Sequence, residues 1–359
     1  MAYITLNQSK LKHNYNKLDA LFQEKGIHWA VVGKLLCGDE TFLREVLALN
    51  PQQICDSRVS NLRMIKQIDP TVETIYIKPA PNGSIEEIIE YADISFNTEL
   101  ETIKLLSEEA KRQNIVHKIV IMVELGELRE GVLREELIDF YSQVFELPNI
   151  DIIGLGTNLT CMYGVLPNND KLIQLTLFRD LLELKFKKRI PYLSGGASVT
   201  LPLILNDTIP TAINHFRIGE TLFMGTNAYD NVAYPDFEQN IFMLHAEIIE
   251  LYEKPMMPEG EIGLKMTGEK VELAPEWENS VNYRAIIDLG LLDIEEDHIT
   301  PINAKQQFVG SSSDMMVMDL GDNPENLKVG DTISFHMSYM GILRIMNSNY
   351  VDKRVIGRE

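Results

Sequence analysis

Short apolar runs alternate with amphipathic segments over the first two-thirds of the chain. The runs have the length of strands and are residues 28–34, 52–57, 74–80, 92–97, 117–125, 150–158, 191–196 and 212–219. Between them apolar residues recur at helical spacing, as in residues 8–23, 98–113, 133–146 and 169–186. Runs such as WAVVG and KIVIMV are apolar throughout, which is typical of strands buried on both faces. Strands separated by helices in this way predict parallel strands joined by crossover connections.

Eight such repeats favour a closed barrel. An open doubly wound sheet is the alternative arrangement of the same elements. From about residue 238 onward the pattern changes to strand-like runs separated by Gly, Pro and Asp turns, without a long helix. We therefore predict an α/β chain: a (β/α)8 TIM barrel over residues 1–237, whose first strand is free to pack with the β domain, and a mostly β C-terminal domain over residues 238–359.

Polar residues directly follow several of the apolar runs. They are Lys34, residues 56–58, Arg129, Thr157, Asn158, residues 194–198 and residues 217–220. The active site of a (β/α)8 barrel lies at the C-terminal ends of its strands. We therefore expect these residues to line one rim of the barrel.

Lys34 follows the run WAVVG, and no other lysine lies near it in the sequence. An amine that emerges from a buried core is desolvated, and desolvation favours the neutral, nucleophilic form that Schiff-base chemistry needs. A lysine at a strand end also extends readily into water. The position of Lys34 by itself leaves both interpretations open.

Two turns rich in hydrogen-bond donors follow consecutive strand-like runs. The first is SGGAS at residues 194–198, and the second is RIGETLFMG at residues 217–225. Glycines let backbone N–H groups approach an anion, and consecutive turns of this kind form the usual phosphate site of a barrel. Arg217 and Arg129 lie where an arginine binds a carboxylate, a phosphate or a ring nitrogen, and an ordinary salt bridge is the alternative for each.

The composition narrows the classes of partner. The net charge of −20 and the pI near 4.8 disfavour nucleic acid and anionic membranes. No apolar run reaches the ~18 residues that span a bilayer, and the N-terminus lacks a signal-peptide profile, so the expected location is the cytoplasm. Three widely separated cysteines fit neither a disulfide framework nor a zinc motif, and no metal site is expected.

Four motifs in order carry a family resemblance. They are AVVGKLLCG around Lys34, GELREG around Arg129, HFRIGETLFMG around Arg217, and SSSDMMVMDL near the C-terminus. Together they resemble the alanine racemase-like enzymes of fold type III, which depend on pyridoxal 5′-phosphate (PLP). The resemblance covers nearly the whole chain. Within that family the segments MVELGELREG, IGLGTNLTCMYGV, LSGGAS and EIIELYEKP are most similar to the ornithine racemase branch.

The resemblance implies roles for individual residues. Lys34 would bind PLP covalently and act as a base at the substrate Cα. Arg217 would donate to the pyridine nitrogen, and because arginine keeps its protons, the ring would stay unprotonated, which suits a racemase. Ser198 and the backbone N–H groups of Gly219 and Glu220 would hold the phosphate. The other cofactor-binding residues that the resemblance implies are Arg129, Asn158, Ser194, Ala197 and Tyr350.

The chain also departs from the family pattern. Alanine racemases use a tyrosine from the partner subunit's β domain as the base on the opposite face, where this chain reads GEIGLKMTG with Lys265. Lys265 and Tyr283 are the catalytic candidates for that role, and Cys161 and Asp314 are further ones. Ser313 replaces the family's C-terminal methionine, and a more polar pocket beside an acid suits a substrate with a distal amine. The candidate substrate-binding residues are Arg129, Cys161, Ser313 and Asp314.

The resemblance therefore predicts a racemase of ornithine or another basic amino acid, which acts by removing and returning the Cα proton. It also predicts a homodimer in which the partner completes the site. Alanine racemase is the first alternative. A fold-type-III decarboxylase is the second, although those enzymes carry a C-terminal cysteine motif and Cys161 is the last cysteine here. A PLP carrier without catalysis is a third, but such proteins usually lack the second domain.

Overall fold

The computed structural model describes residues 1–264, 268, 270, 273 and 275–358. It divides the chain into two compact units, one formed by Ser9–Gln239 and the other by Met1–Gln8 together with Asn240–Glu359. The boundary predicted from the sequence lies after residue 237. The first strand, β1 (Tyr3–Asn7), belongs to the unit that contains the C-terminal residues.

The unit Ser9–Gln239 is a closed barrel of eight parallel strands. Its strands are β2 (His28–Val32), β3 (Gln53–Asp56), β4 (Glu73–Tyr76), β5 (Ile94–Asn97), β6 (His117–Met122), β7 (Ile150–Gly156), β8 (Tyr192–Ala197) and β9 (His215–Ile218). Its helices are α1 (Gln8–Lys25), α2 (Glu40–Leu47), α3 (Val59–Ile68), α4 (Ile85–Tyr91), α5 (Leu100–Arg112), α6 (Leu137–Phe145), α7 (Asn169–Phe186), α8 (Leu201–Leu205) and α9 (Glu220–Met224). Strand β9 pairs in parallel with β2 and closes the barrel. The predicted fold class is thereby confirmed for this unit.

The barrel strands are buried on both faces, as their continuous apolar runs predict. All four residues of β3 and of β5 are buried. The barrel interior packs a cluster that consists of Ala30, Val32, Cys55, Ile75, Ile94, Phe96, Val120, Met122 and Ile153. Parallel strands closed in this way bring all their C-terminal ends to one rim.

Local capping sets where several helices begin. The Asp39 side chain accepts a hydrogen bond from the backbone N–H of Phe42 at the start of α2, and Asn168 does the same for Lys171 at the start of α7. Such caps satisfy backbone donors that the first helical turn leaves unpaired. No helix in the described part of the chain is both long and apolar enough to span a bilayer.

In its described residues, the second unit is built on a mostly antiparallel sheet of eight strands. After β1, its elements are β10 (Phe242–Pro255), β11 (Val281–Ile287), β12 (Ile299–Pro301), β13 (Gln307–Ser311), β14 (Met316–Asp319), β15 (Thr332–Met337), α10 (Tyr339–Asn347) and β16 (Asp352–Ile356). The long strand β10 pairs with β1, β11 and β15, and β1 pairs in parallel with β16. This confirms the predicted mostly β class, and α10 is a short helix of nine residues in a segment where the sequence predicts no long helix.

A buried histidine in the barrel is held in its neutral form. His117 begins β6, is 2% exposed, and places its Nε2 2.8 Å from the Ser95 hydroxyl. The Ser95 hydroxyl also accepts a hydrogen bond from Asn97, so its own proton is free to point to the His117 ring. Burial lowers the pKa of His117 to about 4.

This histidine makes the stability of the fold depend on pH. In the unfolded chain a histidine titrates near pH 6.5. Below pH 6.5 the His117 side chain is protonated in the unfolded state, whereas in the folded state it stays neutral down to about pH 4. The free energy of unfolding therefore falls as the pH drops from 6.5 towards 4. His117→Gln should remove about 2 kcal/mol of the loss in unfolding free energy between pH 7 and pH 5, measured by urea titration. The exposed His13→Gln is the control; if both variants show the wild-type pH dependence, His117 is not the titrating group.

Candidate active site

The C-terminal rim of the barrel holds Lys34 between two carboxyl groups. Lys34 lies directly after β2 in the short helical turn Gly33–Leu36, and β2 is flanked by β3 and β9. Asp56 ends β3, and Glu220 follows β9. Burial raises the pKa of both carboxyls, and the positive charge of Lys34 opposes this in each case. Lys34 itself is exposed rather than desolvated, because its side chain leaves the barrel core at the open rim.

Arg217 is a buried cation within the same barrel. It is 5% exposed, and its guanidinium donates to the Ser194 hydroxyl at 2.6 Å and to the Thr157 carbonyl at 3.0 Å. A longer contact of 3.5 Å reaches Asn158 Oδ1, and the guanidinium carbon lies 4.9 Å from the centroid of the Phe96 ring. All of these partners are neutral. Burial lowers the pKa of Arg217, which is the expected cost of a cation taken out of water.

A chain of hydrogen bonds inside the barrel fixes the position of Arg217. The Ser194 hydroxyl accepts from Arg217, so its proton points to Nδ1 of His215 at 2.9 Å. The Nε2–H of His215 then donates to Gln53 Oε1 at 3.1 Å, and Gln53 donates to Glu73 at 2.6 Å. Burial lowers the pKa of His215 to about 3, so the ring is neutral with one defined tautomer. The chain thus holds Ser194 as an acceptor towards Arg217.

Ser198 and the turn after β9 form a small cradle of donors. The backbone N–H groups of Gly219 and Thr221 both point to the Ser198 hydroxyl, each at 3.3 Å. A Cβ at position 219 would lie 2.9 Å from the Val32 Cβ, so only glycine fits there. The cradle joins the two turns in which the sequence predicts phosphate binding, and its long hydrogen bonds leave the donors available to a stronger acceptor such as a phosphate oxygen.

The loop after β7 brings a thiol next to an arginine. The Asn158 amide donates to the Cys161 sulfur at 3.0 Å. The Glu130 carboxylate, which forms an ion pair with Arg129, holds the pKa of Arg129 above its usual value, and Cys161 adds to this effect. Arg129, Asn158 and Cys161 therefore form one polar group in the barrel unit.

A buried carboxylate holds this loop in place. Glu127 is 1% exposed and accepts hydrogen bonds from the backbone N–H groups of Met162, Tyr163 and Val165. Burial alone would raise the pKa of Glu127, but these N–H groups together lower it. Glu127 was not among the predicted site residues, because its partners lie more than 30 positions away in the sequence.

Three buried side-chain atoms near the rim have no hydrogen-bond partner among the described residues. They are Asp56 Oδ2, Asn97 Oδ1 and Thr157 Oγ1. Asp56 and Asn97 end β3 and β5, and Thr157 directly follows β7. An unpaired buried polar atom costs about 1–3 kcal/mol, so three at the same end of a barrel indicate a place for a polar ligand.

The barrel unit contains ten of the predicted site residues, which are Lys34, Arg129, Asn158, Cys161, Ser194, Ala197, Ser198, Arg217, Gly219 and Glu220. Ser194 lies in the middle of β8 and Arg217 within β9, and the other eight lie at or after the C-terminal ends of barrel strands. His215 and Gln53 were missed. His215 precedes Arg217 by two positions, so strand alternation already places both on one face, and this was the available signal.

The other predicted residues belong to the second unit or lie outside the described residues. Tyr283 lies on β11, and its hydrogen bond to Glu253 raises the pKa of the phenol. The Ser313 hydroxyl donates to Asp314 at 3.3 Å, and Tyr350 is exposed. Lys265 lies outside the described residues.

Comparison with known proteins assigns the family. Residues 6–227 match the family described as alanine racemase, N-terminal domain. The chain is 34% identical to the ornithine racemase of Acetoanaerobium sticklandii over 98% of its length and 99% of the relative. It is 28% identical to the lysine racemase of Thermotoga maritima, over 98% of this chain and 97% of that protein. The chain therefore belongs to the alanine racemase family.

Solved structures share its fold. The alanine racemase of Clostridium difficile 630 superposes with a TM-score of 0.78 at 16% identity, covering 99% of this chain and 95% of that one. The D-threonine aldolase of Filomicrobium marinum superposes with a TM-score of 0.70 at 13% identity, covering 97% of this chain and 88% of that one. Both likenesses concern the fold.

Glu127→Gln should loosen the loop that carries Asn158 and Cys161. Either orientation of the amide places its NH2 group against a backbone N–H that now donates to a carboxylate oxygen. A lost buried hydrogen bond of this kind costs about 1–3 kcal/mol, so amide hydrogen exchange at residues 162–165 should accelerate about tenfold or more. Glu124→Gln is the matched control, because Glu124 accepts from the single backbone N–H of Gly126. Unchanged exchange in Glu127→Gln would show that the carboxylate does not hold the loop.

Proposed function

We propose that this protein is a PLP-dependent racemase of a basic amino acid, with ornithine as the preferred substrate. The observation that carries the proposal is similarity over nearly the full length to two racemases, one named for ornithine and one for lysine. Both of these amino acids carry a distal ammonium group. Similarity that extends through both units supports a complete enzyme rather than a barrel that only carries the cofactor.

The residues at the barrel rim fit PLP. The phosphate has donors in the Ser198 hydroxyl and in the backbone N–H groups of the turn after β9, where only glycine fits beside Val32 at position 219. The pyridine nitrogen is an acceptor, and Arg217 is a buried donor whose hydrogen-bond partners are all neutral. The unpaired atoms Asn97 Oδ1 and Thr157 Oγ1 further fit a polar ligand at this end.

The cofactor roles follow from this fit. Lys34 would hold PLP covalently, Arg217 would donate to the ring nitrogen, and Ser198 would hold the phosphate. The backbone N–H groups of Gly219 and Glu220 would add to the phosphate site, and the remaining contacts would come from Arg129, Asn158, Ser194, Ala197 and Tyr350. PLP, when bound, withdraws electrons from the substrate Cα and so weakens its bond to hydrogen.

Lys34 would move the proton on one face of the substrate. Its amine is exposed at the rim and so is accessible to a substrate that displaces it. The neutral amine takes the Cα proton, and the ammonium that results returns a proton on the same face. Arg217 keeps its own protons, so the protonation of the pyridine nitrogen does not change during this exchange.

Racemisation also needs a base on the opposite face. Lys265 and Tyr283 are the candidates from the second unit, and Cys161 is the candidate within the barrel. Cys161 already contacts the Asn158 amide and lies beside Arg129. We further propose that Arg129 binds the substrate carboxylate and that Asp314, beside Ser313, binds the distal ammonium.

We propose that the protein is a homodimer in which residues of the second unit complete the site of the partner. The support is the family resemblance, since alanine racemases take their opposite-face tyrosine from the partner. Sedimentation velocity tests this arrangement, because a stable monomer with full activity would contradict it.

The direct test of function is the formation of D-enantiomers. Purified protein with PLP and each L-amino acid in turn should give D-ornithine fastest, slower D-lysine and little D-alanine, measured by chiral chromatography. Lys34→Ala should lose at least about a thousandfold in rate, because both cofactor attachment and proton transfer depend on the amine. Lys66→Ala is the control, since Lys66 pairs with Asp93 away from the rim. Release of CO2 would instead indicate a decarboxylase, and preference for alanine would overturn the substrate assignment.

Hydrogen exchange in deuterated water identifies the second base. The informative variants are Tyr283→Phe, Lys265→Met and Cys161→Ser. The one that removes the opposite-face base should abolish racemisation but still exchange the Cα hydrogen of one enantiomer, because Lys34 can take and return a proton on its own face. NMR of recovered ornithine measures this exchange. If all three variants racemise at the wild-type rate, the base is a different residue.

A further inference from the structure

Asp56 is a carboxylate buried in the barrel with one oxygen unused. The residue is fully buried at the end of β3. Its Oδ1 accepts from the backbone N–H of Arg58 at 2.8 Å and from the Asn61 amide at 3.1 Å. Its Oδ2 is buried and has no hydrogen-bond partner among the described residues. The contacts of Oδ1 hold the turn into α3, and they leave Oδ2 unexplained.

The unused oxygen faces the segment that carries Lys34. Strands β2 and β3 pair in parallel with Val32 opposite Cys55, which brings the next residue, Gly33, beside Asp56. A Cβ built on Gly33 would lie 3.7 Å from Asp56 Oδ2. Lys34 follows Gly33 directly, and its charge is the one that acts on the Asp56 carboxyl. Arg58, two positions after Asp56, donates to Oδ1 through its backbone N–H, and its charge acts on Tyr76.

Charge supports the same pairing. Burial raises the pKa of Asp56 to about 6. The backbone N–H of Arg58, the Asn61 amide and the backbone N–H of Ser57 hold the pKa down, and the charge of Lys34 adds a smaller effect in the same direction. The other titratable groups that sense Asp56 are the thiol of Cys55 on the same strand and the phenol of Tyr76 on β4. Both are neutral acids with raised pKa values, so neither supplies a positive charge. Glu220, on the far side of Lys34, adds a second carboxyl to the field of the amine.

We propose that Asp56 is a positioning residue for Lys34, whose free Oδ2 receives the ammonium form of that lysine at the barrel rim. The inference rests on the proposed role of Lys34 as the base on one face. Each time the amine takes a proton it becomes a cation, and a buried carboxylate next to the rim attracts that cation. The proton stays on Lys34, ready to return to the same face of the substrate, while Asp56 itself touches neither substrate nor cofactor.

Asp56→Asn separates this role from a structural one. The asparagine keeps the Oδ1 acceptor for Arg58 and Asn61, so the turn into α3 is preserved, and only the charge at the Oδ2 position is removed. A carboxylate that merely holds the turn would therefore tolerate this change. Asp56→Ala removes both functions and is expected to lose stability as well.

The decisive measurement uses cofactor-free protein. Carboxyl-13C aspartate labelling allows NMR titration of Asp56, whose signal is assigned by its loss in Asp56→Asn. The wild-type carboxyl should titrate near pH 6. In Lys34→Met the midpoint should rise, because a positive charge that holds it down is gone. Lys66→Met is the control at the other end of the barrel and should leave the Asp56 midpoint unchanged. An equal midpoint in wild type and Lys34→Met overturns the proposal, whether or not the protein proves to be a racemase.

Kinetics of the holoenzyme give the second readout. Asp56→Asn should lower kcat for ornithine racemisation about tenfold with little change in KM, the factor that corresponds to one pKa unit. The acid limb of the pH–rate profile should also move, which a structural role would not produce. Asp93→Asn, which removes a carboxylate at the opposite end of the barrel, should leave both unchanged. A wild-type kcat and pH profile in Asp56→Asn contradicts the positioning role. Absence of D-ornithine from the wild-type enzyme contradicts the proposed function and leaves the NMR test of the pair intact.

Discussion

A cation buried inside a closed barrel is the constraint on which the candidate site depends. Arg217 is 5% exposed, and its hydrogen bonds go to a hydroxyl, a carbonyl and an amide oxygen rather than to a carboxylate. Taking such an ion out of water costs several kcal/mol unless strong partners replace the solvent. The surrounding barrel supplies these partners as oriented dipoles and as the face of the Phe96 ring.

The need to satisfy Arg217 extends deep into the barrel. Ser194 can serve as its acceptor because neutral His215 takes the serine proton, and His215 in turn is oriented by Gln53. Each group in this chain has one hydrogen-bonding role fixed by its neighbour, so the network rigidifies the strands that carry it. A guanidinium held this way keeps its position and its charge, which is what a donor to a ring nitrogen requires.

The rim above Arg217 is arranged differently. There several groups have hydrogen-bonding capacity that the described residues do not use. Three buried side-chain atoms have no partner, the hydrogen bonds to Ser198 are long, and the Lys34 amine is exposed. A rigid, satisfied interior beneath an unsatisfied rim is the arrangement expected where a polar ligand completes the structure. Asp56 takes part in both the interior and the rim. Its Oδ1 accepts the hydrogen bond that holds the turn into α3, and its Oδ2 faces Gly33, the residue before Lys34.

The sequence by itself determined the barrel and most of its rim. Strands buried on both faces must be apolar throughout, so their number and order are visible in the pattern, and the polar residues that end them mark the rim. The N-caps Asp39 and Asn168 bond only to residues three positions away, so the starts of these helices can also be predicted from the sequence. Only the tertiary structure decided which polar atoms are paired. The neutrality of His117 and His215, the anchoring of residues 162–165 by Glu127, and the unused oxygen of Asp56 all depend on neighbours that barrel closure brings together from distant parts of the chain. Those contacts are set by packing in three dimensions, and no spacing along the sequence encodes them.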